Sequence, residues 1–309
     1  MVAVPPLFSG GSTSWYDKEY VCCCREKTGA GSGGDRKEDK AGRDSVSPLL
    51  FPLSSPSFDF DSTSTSPLTD TTMARNLLLT GGTTPLTLEY FAIEGVAEQV
   101  RIALTVADVP FTDDAFPFSE WPDRKPKTKY GQVPELKLPN GSIITDSMAM
   151  LRLVGEADPA NKLYPAEDVV KRMKIESALG LVGDLTRAWR PAMYLGMRPE
   201  VFGYPMKSEW SAADDTIKKV RSAFVTDELP KYMEYFTNMI KEQGGTKFLT
   251  GDDLTIADIS AYQQISYFRK GIADHVPKEC LDPYPELLAW MGRVEGHPKV
   301  AAYKASKGK

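Results

Sequence analysis

A small mixed β-sheet flanked by helices, followed by a purely helical half, is the fold this sequence predicts. Three observations predict it. From about residue 84, strand-like and helix-like apolar spacings alternate. The stretch 131–150, GQVPELKLPNGSIITDSMAM, reads as a hairpin that runs straight into a helix. After Pro159 the strand patterns almost stop.

Taken in order, Leu86–Phe91 (LTLEYF) reads as the first strand. Gly95 follows, and then Val96, Val100, Ala103, Leu104 and Ala107 recur as one helix face. Pro110 closes that helix, and Phe111–Ala115 reads as a second strand. A polar, proline-broken loop, SEWPDRKPKTKYG, leads to the hairpin. Its strands are Glu135–Leu138 and Ser142–Thr145. They are joined through Pro139-Asn140-Gly141, because Asn-Gly accepts the positive φ of a tight turn. Pro134 stands just before the first of them, where a missing ladder donor does no harm. A helix then opens over about 146–156, and Thr145, Asp146 and Ser147 can each accept a first-turn N–H. The order is β-α-β-loop-β-β-α. A strand–helix–strand unit implies a parallel pair, and the hairpin adds an antiparallel edge. The result is a thioredoxin-like βαββα domain over 84–158, of the α/β class.

Helical periodicity then covers about 166–194, 212–241, 255–270 and 285–293, an all-helical domain over 165–305. Its best start signal is Leu254-Thr255-Ile256-Ala257-Asp258-Ile259. Thr255 and Asp258 have capping-box spacing, and Leu254 and Ile259 occupy the positions of a hydrophobic staple. Residues 1–75 carry neither period. They are rich in Ser, Thr, Gly and Pro and are read as a disordered low-complexity tail. Two alternatives stand beside that reading: translation beginning at Met73, and an organelle-targeting peptide, which the acidic residues of the tail disfavour. Lipidation of Cys22-Cys23-Cys24 is a further, lesser alternative.

The chain has 309 residues, a formal net charge of −5, 41% hydrophobic and 26% charged residues. An acidic balance argues against nucleic acid as a partner. No stretch approaches the roughly 18–20 apolar residues of a membrane span. Four cysteines, three of them in the tail, give no disulfide framework, which suits a cytoplasmic location. Two histidines, His275 and His297, leave little for a metal site. Cys280 is read as a thiol without a role. No Cys-x-x-Cys ends the first strand, and no P-loop or dinucleotide motif is present.

Several segments together resemble the cytosolic glutathione transferases over about 84–305. They are LTLEYFAIEGVAEQVRIAL, SEWPDRKPKTKYGQVPELKLPNGSIITDSMAMLRLV, FLTGDDLTIADI and DPYPELLAWMGRVEGHPKVAAY, the last of which resembles that family's final helix. The Tyr-Phe strand end and the Trp-Pro-x-x-Lys loop look most like the sigma class, which includes prostaglandin-D synthases and lens crystallins. The resemblance implies glutathione as co-substrate, no metal, a small hydrophobic electrophile as second substrate, and a homodimer. It implies that Tyr90 stabilises the glutathione thiolate. It implies that Ser147 meets the γ-glutamyl carboxylate, with Asp146 where this class usually has Gln. Val133, before a cis Pro134, would lend its backbone to the cysteinyl unit. Trp121, Lys125 and Gln132 would lie towards the glycyl carboxylate, and Asp184 would reach the glutathione amine across the dimer interface. Tyr194 and Trp189 are candidates for the electrophile side. The family run Tyr-Phe-x-x-Arg-Gly-Arg-Ala-Glu departs here, where Glu94 and Val96 replace both arginines. Three functions follow from the resemblance: a conjugating transferase, a weakly active binding or crystallin-like protein, and a glutathione-dependent isomerase.

Overall fold

Strand β1 (Thr87–Phe91) lies at the centre of the molecule's single described sheet, between a parallel and an antiparallel neighbour. The structure is a computed structural model that describes residues 78–81 and 84–307. The readings made for residues 1–75 lie outside the described residues.

The elements follow in the order β1, α1 (Glu98–Val106), β2 (Thr112–Phe116), β3 (Glu135–Lys137), β4 (Ile143–Ile144) and α2 (Ser147–Glu156). The sheet order is β2-β1-β3-β4. β1 and β2 are parallel, as a helical crossover requires, and β3 is antiparallel to both β1 and β4. Leu88 pairs with Leu136 in register, and both are fully buried. Tyr90 is two residues on and shares their face, whereas Glu89 points to the other. The Asn-Gly turn forms as expected: Gly141 has φ +85°, and Ser142 N–H donates to Asn140 Oδ1 at 2.9 Å.

The helical half comprises α3 (Val169–Met197), α4 (Ala213–Ala223), α5 (Leu229–Glu242), α6 (Ile256–Ser266), α7 (Pro285–Gly296) and α8 (Pro298–Lys307). α6 is buried on almost every side and packs on both α1 and α3, so one apolar core runs from the sheet into the helices. Its start is built as the spacing predicts. The Asp258 carboxylate accepts from the Thr255 N–H at 3.0 Å and from its hydroxyl at 2.8 Å. It also accepts from the Leu249 N–H at 2.8 Å and from Trp290 Nε1 at 2.9 Å. α2 approaches α6 closely, since a Cβ on Gly155 would lie 2.9 Å from the Ile256 side chain.

Several boundaries differ from expectation, each for a local reason. Val96 does not lie on the buried face of α1. It sits in a 3₁₀ turn, Gly95–Ala97, with its side chain 41% exposed, because the tighter winding rotates it off the 3.6-residue stripe. The helix expected over 212–241 is interrupted by a π-turn, Phe224–Glu228, just before Pro230, whose ring cannot donate to Thr226. The segment read as one final helix is two. His297 stands in extended backbone between them, because the residue before Pro298 is pushed out of the helical region.

Candidate functional site

Strand register alone carries the predicted residues to one place. Glu89 and Glu135 are the last pair of that antiparallel ladder, so Pro134 and Val133 leave it beside Tyr90 and Phe91, one and two residues on. Leu136 and Ile144 are the last pair of the next ladder, and Pro134 and Asp146 lie two residues past it. Tyr90, Pro134 and Asp146 therefore each stand one or two residues past the last pairs of these two ladders, at the carboxyl end of β1. On the other side, Phe91 pairs with Phe116, and the chain leaving β2 brings in Trp121. The Trp121 ring lies 5.3 Å from Phe91, edge to face. Lys125 passes Gly131, whose added Cβ would stand 3.5 Å from Lys125 Cε, so it borders the Gln132-Val133 segment.

Tyr90 is 8% exposed. A Cβ on Gly95 would stand 2.5 Å from its hydroxyl, so the turn after β1 passes directly over the phenol. Gly95 has φ +45°, which a side chain would resist as well. The Val96 backbone N–H lies near enough to the phenol oxygen to favour its ionised form. Burial pushes the phenol up from its ordinary value, and Tyr194 adds to the shift. The Val96 N–H and the Arg101 guanidinium pull the other way. The outcome is a phenol that keeps its proton at neutral pH. It is a hydrogen-bond donor rather than a base.

The turn itself is held from two sides. Arg101 is buried, pairs with Asp113 at 3.0 Å, and donates to the carbonyls of Ile93 at 2.9 Å and Glu94 at 3.2 Å. Its guanidinium carbon lies 5.9 Å from the Tyr90 ring. From the helical half, Gln263 Nε2 donates to the Gly95 carbonyl at 2.8 Å, and Lys270 pairs with Glu94. Neither Arg101 nor Gln263 was among the sequence candidates. Arg101 had a readable signal, a lone cation within the apolar face of α1. Gln263 had none, since its partner lies 168 residues away.

At the α2 N-terminus, Asp146 is the N-cap. Its Oδ1 accepts from the Met148 N–H at 3.0 Å and the Ala149 N–H at 2.9 Å. Of the three expected acceptors, only Asp146 caps. Ser147 is the first helical residue, and its Oγ accepts from Gln99 Nε2 at 3.3 Å. The Val133–Pro134 peptide bond is cis. Among the described residues, no hydrogen bond occupies the Val133 backbone.

Asp184 is not gathered with the others. It lies exposed on α3 and pairs with Arg187 at 2.5 Å. Tyr194 stands near Tyr90, but Trp189 does not face an opening, which corrects the expectation. It is 2% exposed and packs against Phe224, Tyr267 and Phe268, because its place on α3 turns it into the helical core. Cys280 is half-buried, with its thiol pushed up to about 11 by burial. A cleft of about 420 Å³ lies elsewhere, on the Glu89 face of the sheet. Most of its charges pair with one another: Arg124 meets Glu89 at 3.1 Å, and Asp114 and Glu120 at 2.9 Å each, and Lys137 meets Glu89. Among the described residues there is no group of three His, Cys, Asp or Glu placed to hold a metal. No helix among them is long and apolar enough to cross a membrane.

Comparison with known proteins supports kinship with the glutathione S-transferases. Residues 204–307 match the family model described as the glutathione S-transferase C-terminal domain. The chain is 27% identical over 220 residues to S-crystallin 4 of Enteroctopus dofleini, covering 70% of this chain and 94% of that protein. It is 24% identical over 217 residues to glutathione S-transferase 2 of Onchocerca volvulus, covering 70% and 90%. It is 23% identical over 221 residues to the hematopoietic prostaglandin D synthase of Gallus gallus, covering 70% and 93%. Among solved structures, that of prostaglandin synthase D of Nilaparvata lugens matches with a TM-score of 0.58 at 23% identity, covering 72% of this chain and 98% of that one. The fold is a thioredoxin-like βαββα sheet followed by the helical half seen in glutathione S-transferases.

Proposed function

We propose that the protein is a glutathione transferase, closest in kind to the sigma class, that joins the glutathione thiolate to small hydrophobic electrophiles. The observation that carries this reading is the gathering of Tyr90, Pro134 and Asp146 just past the ladder ends at one end of the sheet, with the Tyr90 hydroxyl beneath the Gly95 turn. Glutathione would lie along these residues. Its γ-glutamyl end would reach Ser147 and Asp146 and its cysteinyl unit the free Val133 backbone, in the manner of an added strand. Its glycyl carboxylate would lie towards Trp121, Lys125 and Gln132. A homodimer would bring the partner's copy of the α3 face, with Asp184, to the amine. The reducing cytoplasm is the compartment in which we place it.

Chemistry at this site needs a thiolate. A free thiol has a pKa near 8.5, and lowering it by two units requires about 2.7 kcal/mol. One charge-assisted hydrogen bond supplies about 1.5–3 kcal/mol, so Tyr90 alone is nearly sufficient. The Val96 N–H polarises the phenol and strengthens that bond. The thiolate sulfur then bonds to the electrophilic carbon as the leaving group departs with its electron pair. Proximity contributes the rest.

A second reading, a weakly active binding or crystallin-like protein, is favoured by one observation. Glu94 is engaged by Lys270 and the Val96 side chain points outward, so the turn offers the sulfur no cation. A glutathione-dependent isomerase would share the glutathione half and differ only on the electrophile side. Titrating the ultraviolet thiolate absorbance of glutathione bound to the full chain separates the first two. A bound thiol well below the free one, raised by about one to two units in Tyr90→Phe, supports the transferase. An unshifted bound thiol turns the reading to a binder, and absence of binding removes the glutathione site.

A further inference from the structure

Gln99 lies on α1, facing α2, and is 4% exposed. Its Nε2 donates to Ser147 Oγ at 3.3 Å and reaches Met148 Sδ at 3.7 Å. Its Oε1 has no hydrogen-bond partner. Its helix neighbours Val100, Ile102, Ala103 and Leu104 are all buried and apolar. A buried acceptor left unmet costs free energy that a leucine or methionine at this position would not. Folding alone gives no reason for the amide.

The hydroxyl it touches gives one. A serine hydroxyl has a single proton and two lone pairs. Gln99 occupies a lone pair, and no protein acceptor takes the Ser147 proton, so that proton is directed outward. Turning the amide over would draw the proton inward and leave two buried N–H donors in place of one acceptor. Meanwhile the Asp146 carboxylate has taken the Met148 and Ala149 N–H groups for itself. What the α2 N-terminus still offers an anion is Ser147, through its N–H and its O–H.

We propose that Gln99 is a positioning residue for the γ-glutamyl carboxylate of glutathione: its buried amide dedicates the Ser147 hydroxyl to donating towards the ligand. This rests on the glutathione reading above. It implies that affinity in this chain depends on a side chain that never touches the ligand.

Calorimetric titration of glutathione into the full chain tests it, with wild type, Gln99→Met, Gln99→Glu, Ser147→Ala and the Ser147→Ala/Gln99→Met double variant, and the Tm of each. Gln99→Met should weaken binding about three- to tenfold without lowering Tm, since it also removes the unmet acceptor. In the Ser147→Ala background the same substitution should leave Kd unchanged, the mark of coupling through that hydroxyl. Gln99→Glu should weaken binding further, because its carboxylate captures the Ser147 proton and repels the ligand's charge. Equal weakening with and without the Ser147 hydroxyl, accompanied by a lower Tm, would show a merely structural role and overturn the proposal. Unchanged affinity in Gln99→Met, with wild type binding normally, overturns it while leaving the glutathione reading intact. A wild type that binds no glutathione overturns both.

Discussion

Among the described residues the N-termini of α2, α3 and α6 each rely on an aspartate, and those of α2 and α6 are finished differently. At α6, Asp258 is wholly buried and its carboxylate accepts four hydrogen bonds, from Thr255 twice, Leu249 and Trp290. Burial pushes that carboxyl up while the four donors pull it down. At α2, Asp146 is exposed and satisfies two N–H groups, and the next residue keeps its own N–H and hydroxyl available. A closed N-terminus serves folding, because every polar group is met inside the protein. An open one leaves a donor pair for an anion. The contrast shows why capping chemistry alone does not mark a site: the carboxylate with four donors is spent inside the protein, away from the candidate residues.

Substitutions at the two aspartates should separate sharply. Asp258→Ala strands the buried N–H groups of Leu249, Thr255 and Trp290, and should cost about 3–5 kcal/mol in urea unfolding. Asn should not rescue it, since its NH₂ would confront those donors. Asp146→Ala should cost about 1 kcal/mol, and Asn should restore nearly all of it, being an equal N-cap. Equal losses at the two positions, or rescue by Asn at 258, would erase the distinction.

A smaller effect concerns the link between α2 and α3. Glu176 accepts from Arg152 Nε at 2.8 Å and Nη2 at 2.6 Å, and from the Tyr164 hydroxyl at 2.7 Å. The Arg152 guanidinium holds its carboxyl below the ordinary value. A folded-state value below the unfolded one contributes stability above the unfolded value, and loses it as pH falls through the folded value. The Tm difference between wild type and Glu176→Gln should therefore be largest near neutrality and shrink as pH drops below the usual carboxylate range. A difference that grows on acidification would contradict this account.

The fold was largely legible, and so was the end of the sheet where the candidate residues meet. The Asn140-Gly141 turn, Pro134 at the strand start and the Thr255–Asp258 box are short-range signals, each complete within a few residues. Strand register then multiplies such signals: once the hairpin is placed, Tyr90, Pro134 and Asp146 come to the same end of the sheet. Even the breaks that were missed are local in hindsight, since Pro230 and Pro298 each forbid the conformation that the apolar period suggested.

The sequence by itself determined most of the helices and strands, the box at Thr255 and Asp258, and that a tyrosine, a proline and a serine stand at strand and helix ends. Only the tertiary structure decided what surrounds them. Gln99 meets Ser147 across 48 residues, Gln263 meets Gly95 across 168, and Trp189 turns into the core rather than towards an opening. The physical reason is range. Backbone propensity and capping act over three or four residues, whereas a buried side chain's partner is set by how whole elements pack.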